Sequence, residues 1–186
     1  KGCERAIVFP TGFAANLSVL SVFGTEGAHL FSDELNHASI VDGCRSARAP
    51  VTVYPHGDLV QLDARLGRSD GRPIVVSDTV FSMDGDAADL GQLANVARRH
   101  QALLVLDEAH AVLGPELDAA SGAPGCAGPP VEVLRVGTMS KTLGSLGGFV
   151  AGPARFVELL VNRARPYIFT TAPSPADMAA ALDRKS

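Results

Sequence analysis

The chain has 186 residues, enough for one domain with a real core, and 46% hydrophobic against 19% charged residues argue for a folded domain over a disordered one. A formal net charge of −4 gives no electrostatic footprint for nucleic acid, and neither a membrane-length apolar run nor a signal peptide is visible. Cys3, Cys44 and Cys126 are odd in number and lack a Cys-x-x-Cys pair, which argues against a disulfide framework or a zinc site and fits a reducing cytoplasm. In chain order, the apolar run Ala6–Phe9 predicts a strand and Gly12–Val22 a helix with apolar residues three or four apart. The pattern repeats: strand Ala28–Ser32, helix Ala38–Arg48, strand Val51–Tyr54, helix Leu59–Leu66, strand Ile74–Val80, helix Leu90–His100. Strand Leu103–Asp107 follows, then a loop Gly114–Pro130 in which eight of 17 residues are Gly or Pro. Strands Val133–Gly137 and Gly148–Ala151 and helix Arg155–Arg165 complete the series.

Continuous rather than alternating hydrophobicity marks strands buried on both faces. Strand–helix alternation therefore predicts an α/β fold: a mostly parallel seven-stranded sheet with helices on both faces. Only about nine residues, Thr138–Leu146, separate the last two strands, too few for a helical crossover, so one antiparallel strand is expected there. The chain opens at Lys1 without Met and stops at "ALDRKS" within a helix-like pattern, which reads as an internal piece of a longer protein.

"LLVLDEAHAVLG", Leu103–Gly114, admits two chemistries. A DEAH-type nucleic-acid ATPase presents an acid to Mg²⁺ at such a strand end, but it needs an upstream Gly-rich loop ending in Gly-Lys-Ser/Thr, and none precedes Asp107. The other chemistry needs a lysine. Against 13 arginines there are three lysines, and Lys141 is the only one away from the ends. A guanidinium cannot become a nucleophilic amine, so a retained lysine is informative. Lys141 follows a buried strand in a Gly-, Ser- and Thr-rich turn, where an amine can carry pyridoxal 5'-phosphate (PLP), whose ring nitrogen needs an acid such as Asp107. Taken alone, Lys141 is more simply a solvated turn residue. "FPTGFAAN" puts a helix start at Thr11-Gly12, suited to a phosphate, though an ordinary strand-to-helix turn looks much the same. His37 and Ser82 read equally as capped-turn residues, or in the case of His37 as a ring that stacks on an aromatic cofactor.

Together, "TGFAAN", "DELNHASIVDG", "FSMDGDAADL", "LLVLDEAHAVLG" and "GTMSKTLGSLGGFVAG", in this order and spacing, resemble the PLP-dependent α-oxoamine synthases of fold type I. The resemblance covers essentially the whole chain, and the pairing of "FSMDGD" with "DEAH" is most similar to the biotin-pathway branch. It implies that Lys141 carries the cofactor and moves the α-proton, that Asp107 pairs with the ring nitrogen, and that His110 approaches the ring's phenolic oxygen. It further implies that His37 stacks on the ring beside Ser82, and that Gly12, Phe13 and Thr138 hold the phosphate. In a homodimer with a shared site, Thr170 and Thr171 of "YIFTTAPSP" would reach the phosphate of the other subunit. The implied reaction joins L-alanine to a pimeloyl thioester, on CoA or acyl carrier protein, with loss of CO₂; a glycine C-acetyltransferase or another fold-type-I enzyme is the alternative. Residues 1–186 would form the central PLP-binding domain, without the N-terminal arm and C-terminal domain of the family. One departure stands out: the family's Gly-Arg-Gly pattern after the acid motif is replaced by "LGPELDAASGAPGCAG".

Overall fold

The structure is a computed structural model that describes residues 2–114 and 130–183. Seven strands form one sheet: β1 (Arg5–Phe9), β2 (Ala28–Asp33), β3 (Val51–Tyr54), β4 (Arg72–Asp78), β5 (Leu103–Asp107), β6 (Val133–Thr138) and β7 (Gly148–Gly152). Their order across the sheet is β1-β7-β6-β5-β4-β2-β3. Five neighbours, β3 to β6, pair in parallel, and β7 runs antiparallel between β6 and β1, as its short connection predicts.

The helices α1 (Gly12–Phe23), α2 (Ala38–Ser46), α3 (Leu59–Leu66), α4 (Leu90–Arg99) and α5 (Ala154–Arg163) cover the sheet, followed by α6 (Arg165–Ile168) and α7 (Pro175–Asp183). Successive strand residues face opposite ways. Ile74 and Val76 of β4 and Leu103 and Val105 of β5 thus pack with Val19 and Leu20 of α1, Ile40 of α2 and Leu160 of α5. The alternate residues Val75, Leu104 and Leu106 pack with Leu62 of α3 and Leu93 and Ala97 of α4 on the other face. Continuing that alternation past the apolar residues puts Asp78 and Asp107 on the α1 side, at the carboxyl ends of adjacent parallel strands and in register with each other. Ligands in open α/β sheets bind at such ends.

Three elements stop two residues before the sequence pattern does. β4 stops at Asp78 rather than Val80, because both N and Oγ1 of Thr79 turn to donate to the Asp107 carbonyl (2.9 Å each), leaving Val80 a lone bridge to Ala87. α2 stops at Ser46 because the N–H groups of Arg48 and Ala49 are drawn to the Gly24 carbonyl (2.8 and 3.0 Å). α5 ends at Arg163, and Pro166 sits in the first turn of the separate α6, where its missing N–H costs nothing. Most of the expected loop Gly114–Pro130, and Cys126 with it, lies outside the described residues. No helix among the described residues is long and apolar enough to cross a membrane.

Candidate active site

The carboxyl ends of the parallel strands and the start of α1 enclose a cavity of about 200 Å³. Its wall includes Gly12, Phe13, His37, Ser82, Asp107, His110, Thr138 and Lys141, eight residues singled out from sequence. Thr170 and Thr171 are exposed in the link between α6 and α7 and do not line it. Thr11, read from sequence with Gly12 as the helix start, lines it too, whereas four further polar lining residues were given no role from sequence: Asn16, Ser39, Asp78 and Ser140. Asn16 could have been found, since it follows Gly12 by four residues and so shares its helix face.

Asp107 is 5% exposed. Its Oδ1 accepts the Ala109 N–H (2.8 Å) and its Oδ2 the Asn16 amide (2.6 Å), while no cationic side chain pairs with it among the described residues. Burial pushes its carboxyl above the usual range, against the pull of those two donors. Beside it, burial and then the Asp107 charge push Asp78 up to about 7. Asp78 Oδ2 accepts the His37 N–H (2.7 Å), fixing where α2 begins. His37 Nδ1 lies 2.8 Å from Ser39 Oγ, and that hydroxyl accepts the other bond from Asn16 (2.9 Å). One chain of hydrogen bonds thus runs from α2 through α1 to Asp107.

Lys141 Nζ lies 2.6 Å from His110 Nε2. Burial, then the Lys141 charge, lowers the His110 pKa, so the ring is suited to accept from an ammonium. At the other end, Thr11 caps α1 by accepting the Ala14 N–H (3.0 Å), leaving the N–H groups of Gly12 and Phe13 in the first turn, where no intrahelical acceptor exists. A Cβ at Gly12 would stand 3.2 Å from Thr138 Cβ, so glycine lets the helix start approach the strand end. Thr138 Oγ1 donates to the Gly147 carbonyl (3.0 Å) and contacts Ser140 Oγ (2.8 Å).

These features fit PLP. Asp107 is a buried carboxylate waiting for a positive partner, the helix start offers N–H donors and a dipole to a phosphate, and the amine stands in the same cavity. Asn16 Oδ1 is buried without a hydrogen-bond partner, an orphan acceptor beside the acid. Behind the site, on the opposite sheet face, Glu108 and Arg135 form a buried ion pair that braces the ends of β5 and β6.

The comparisons agree. The sequence profile of the family "Aminotransferase class I and II" matches residues 2–186. An 8-amino-7-oxononanoate synthase of Burkholderia mallei is 50% identical over 175 residues, which is 92% of this chain and 44% of that protein. The chain therefore spans less than half the length of the curated relatives it matches. Serine palmitoyltransferase from S. paucimobilis, solved with a bound PLP–myriocin aldimine, superposes with a TM-score of 0.87 at 36% identity, covering 98% of this chain and 48% of that one. An 8-amino-7-oxononanoate synthase from Francisella tularensis gives a TM-score of 0.79 at 30% identity over 98% of this chain and 53% of its own. The acid motif is thus that of a cofactor enzyme and not of a nucleic-acid ATPase, and the chain belongs to the aminotransferase class I and II family of PLP-dependent enzymes.

Proposed function

We propose that residues 1–186 are the central PLP-binding domain of a cytoplasmic α-oxoamine synthase that condenses L-alanine with a pimeloyl thioester in biotin synthesis. The observation that carries the reading is the convergence of one amine, one buried carboxylate and one helix start in a single cavity. When bound, PLP supplies an electron sink for a carbanion at the substrate α-carbon.

The chain's own residues do the rest. Among the residues lining the cavity, the Gly12 and Phe13 N–H groups and the Thr138 hydroxyl would hold the phosphate, and His37, with Ser82, would lie against the ring. Asp107 keeps its charge toward the ring nitrogen, held in place by Asn16 and Ala109. Lys141 Nζ would be the amine that holds the cofactor, and it would move the proton at the substrate α-carbon; positioned proton transfer is worth about 10²–10⁴ in rate. His110 keeps that amine turned into the cavity and has reach to the ring's phenolic oxygen. In a homodimer, Thr170 and Thr171 add hydroxyls to the partner's phosphate. Within one chain, α7, which follows that link, packs on the Lys141 turn, with Ser145 Oγ donating to the Asp177 carbonyl (2.6 Å).

Borohydride reduction of the PLP-loaded chain and peptide mapping should mark Lys141, and Lys141→Arg should abolish the mark while keeping the charge. Label at Lys1 or Lys185 alone would sink the assignment. The substrates are read in the full-length enzyme from CoA release with pimeloyl-CoA or acetyl-CoA, each paired with alanine or glycine. The amino donors differ by one methyl group, so packing discriminates by about 10–200-fold at most. A preference for glycine with acetyl-CoA would move the enzyme to the glycine C-acetyltransferase branch. Failure of every CoA ester calls for pimeloyl-acyl carrier protein.

A further inference from the structure

His56, in the turn after β3, has no place in the chemistry above, yet it joins two carboxylates from separate parts of the fold. Its Nδ1 lies 2.9 Å from Asp33 Oδ1 and its Nε2 2.7 Å from Asp86 Oδ2. The ring stands edge-on to Phe81, with centroids 4.4 Å apart. Asp33, 3% exposed, also accepts the Leu35 and Gly57 N–H groups (2.9 and 3.1 Å).

Each carboxylate leads to the cavity. Asp33 opens the turn that delivers His37: Asn36 N donates to its carbonyl (3.3 Å), and the Asn36 amide ties that turn to Val76 O and to Asp78 N (2.9 and 2.8 Å). Asp86 closes the loop 79–88 that delivers Ser82, its carbonyl accepting the Phe81 N–H (2.9 Å) while Gly85 N donates to Phe81 O (2.8 Å). His37 and Ser82 both line the cavity. We propose that His56 is a positioning residue which, by bridging Asp33 and Asp86, ties the turn presenting His37 to the loop presenting Ser82 and so sets the cofactor slot between them. This rests on the PLP reading of the site.

The bridge needs a proton. An imidazolium donates from both nitrogens, whereas a neutral ring has one donor and turns a lone pair on the second carboxylate. Burial opposes the charge on His56, but its bonds to Asp33 and Asp86 outweigh burial and raise its pKa. The other titratable groups around it are Glu34, which accepts the His56 N–H (2.8 Å), Tyr54 and Asp89, none of them a cation. A raised histidine contributes most below its ordinary value, and the contribution is lost as pH rises through the folded value.

The test measures PLP affinity of the wild-type chain and of His56→Gln by absorbance titration, at about pH 6 and about pH 8.5, on either side of the histidine range. The variant should bind PLP about fivefold or more weakly at the lower pH, a common size for linked sites, and the two chains should converge at the higher one. Equal affinities at both pH values, or an equal loss at both, overturns the proposal. Asp86→Asn keeps an acceptor but removes one facing charge; it should lower the midpoint of the His56 ring titration seen by NMR and carry the affinity change with it. A midpoint that moves without the affinity also overturns it, and this variant decides the matter if His56→Gln does not fold. Wild-type chain that binds no PLP at either pH would overturn the cofactor reading itself, whereas binding indifferent to His56 overturns only the bridge.

Discussion

Asp78 and Asp107 sit one strand apart with their carboxyl groups on the same face, and water cannot screen both. Two such groups do not ionise independently. Asp78 carries the larger consequence for stability, because burial and then Asp107 push it from the ordinary carboxylate range up to about 7. Between those values the folded chain keeps a proton that the unfolded chain has already released. Stability therefore falls as pH rises through that window and stays lower above it. Asp78→Asn removes the charge while its amide oxygen can still accept the His37 N–H. The variant should be more stable than wild type near pH 8, by an amount on the order of a few kcal/mol at most, and gain little near pH 4. Thermal unfolding at the two pH values checks this, and a variant less stable than wild type near pH 8 would sink it. On the proposed reading Asp107 remains the acid for the ring nitrogen in this variant, so PLP binding should survive.

At the scale of elements, the contact between β7 and the start of α1 decides the shape of the phosphate end. A Cβ on Gly148 would collide with the Thr11 carbonyl and the Gly12 nitrogen, both rigid backbone. Gly148→Ala should therefore shift the turn that caps α1, cost about 1–3 kcal/mol of stability by overpacking, and weaken PLP binding. Gly91→Ala is the matching control: it lies in α4 with only the Asp89 carboxylate within ordinary contact, so it should stabilise by roughly 0.5–1 kcal/mol. Urea unfolding of both variants separates the effects; equal behaviour would remove the special status of Gly148. The same elements show what the sequence reveals. All seven strands were legible because strands covered on both faces read as unbroken apolar runs, and the antiparallel β7 was legible from the short link Thr138–Leu146. Lys141, Asp107 and the Gly12 turn were legible because their chemistry restricts residue type. Asp78, Ser39 and His56 were not, because their roles come from register and from bonds spanning 23 to 42 residues of chain, which no local pattern records. The placement of β1 at the sheet edge beside β7 was equally invisible, since strand order is a property of tertiary packing.

Across the whole molecule, Phe13, Leu146, Ile168 and Phe169 are exposed apolar side chains, Phe169 at 71%. We expect the chain to sediment as a dimer, with Phe169→Ser shifting it toward monomer and weakening PLP binding by withdrawing Thr170 and Thr171 from the other site. A monomer at every concentration tested would rule this out. The sheet order has a further consequence, for the chain as it is made. Arg5–Phe9 has β7 as its strand neighbour, so during synthesis it waits about 140 residues for Gly148–Gly152. At the usual 5–20 residues per second that wait lasts roughly 7–30 s. Throughout it, Ile7 and Phe9, buried in the finished fold, lack their strand neighbour, and once Val133–Thr138 is made β6 is an open edge until β7 pairs with it. Translation up to Gly152 is therefore an interval in which both strand neighbours of β7 stand unpaired on that side, and a pause between Thr138 and Gly152 would lengthen it.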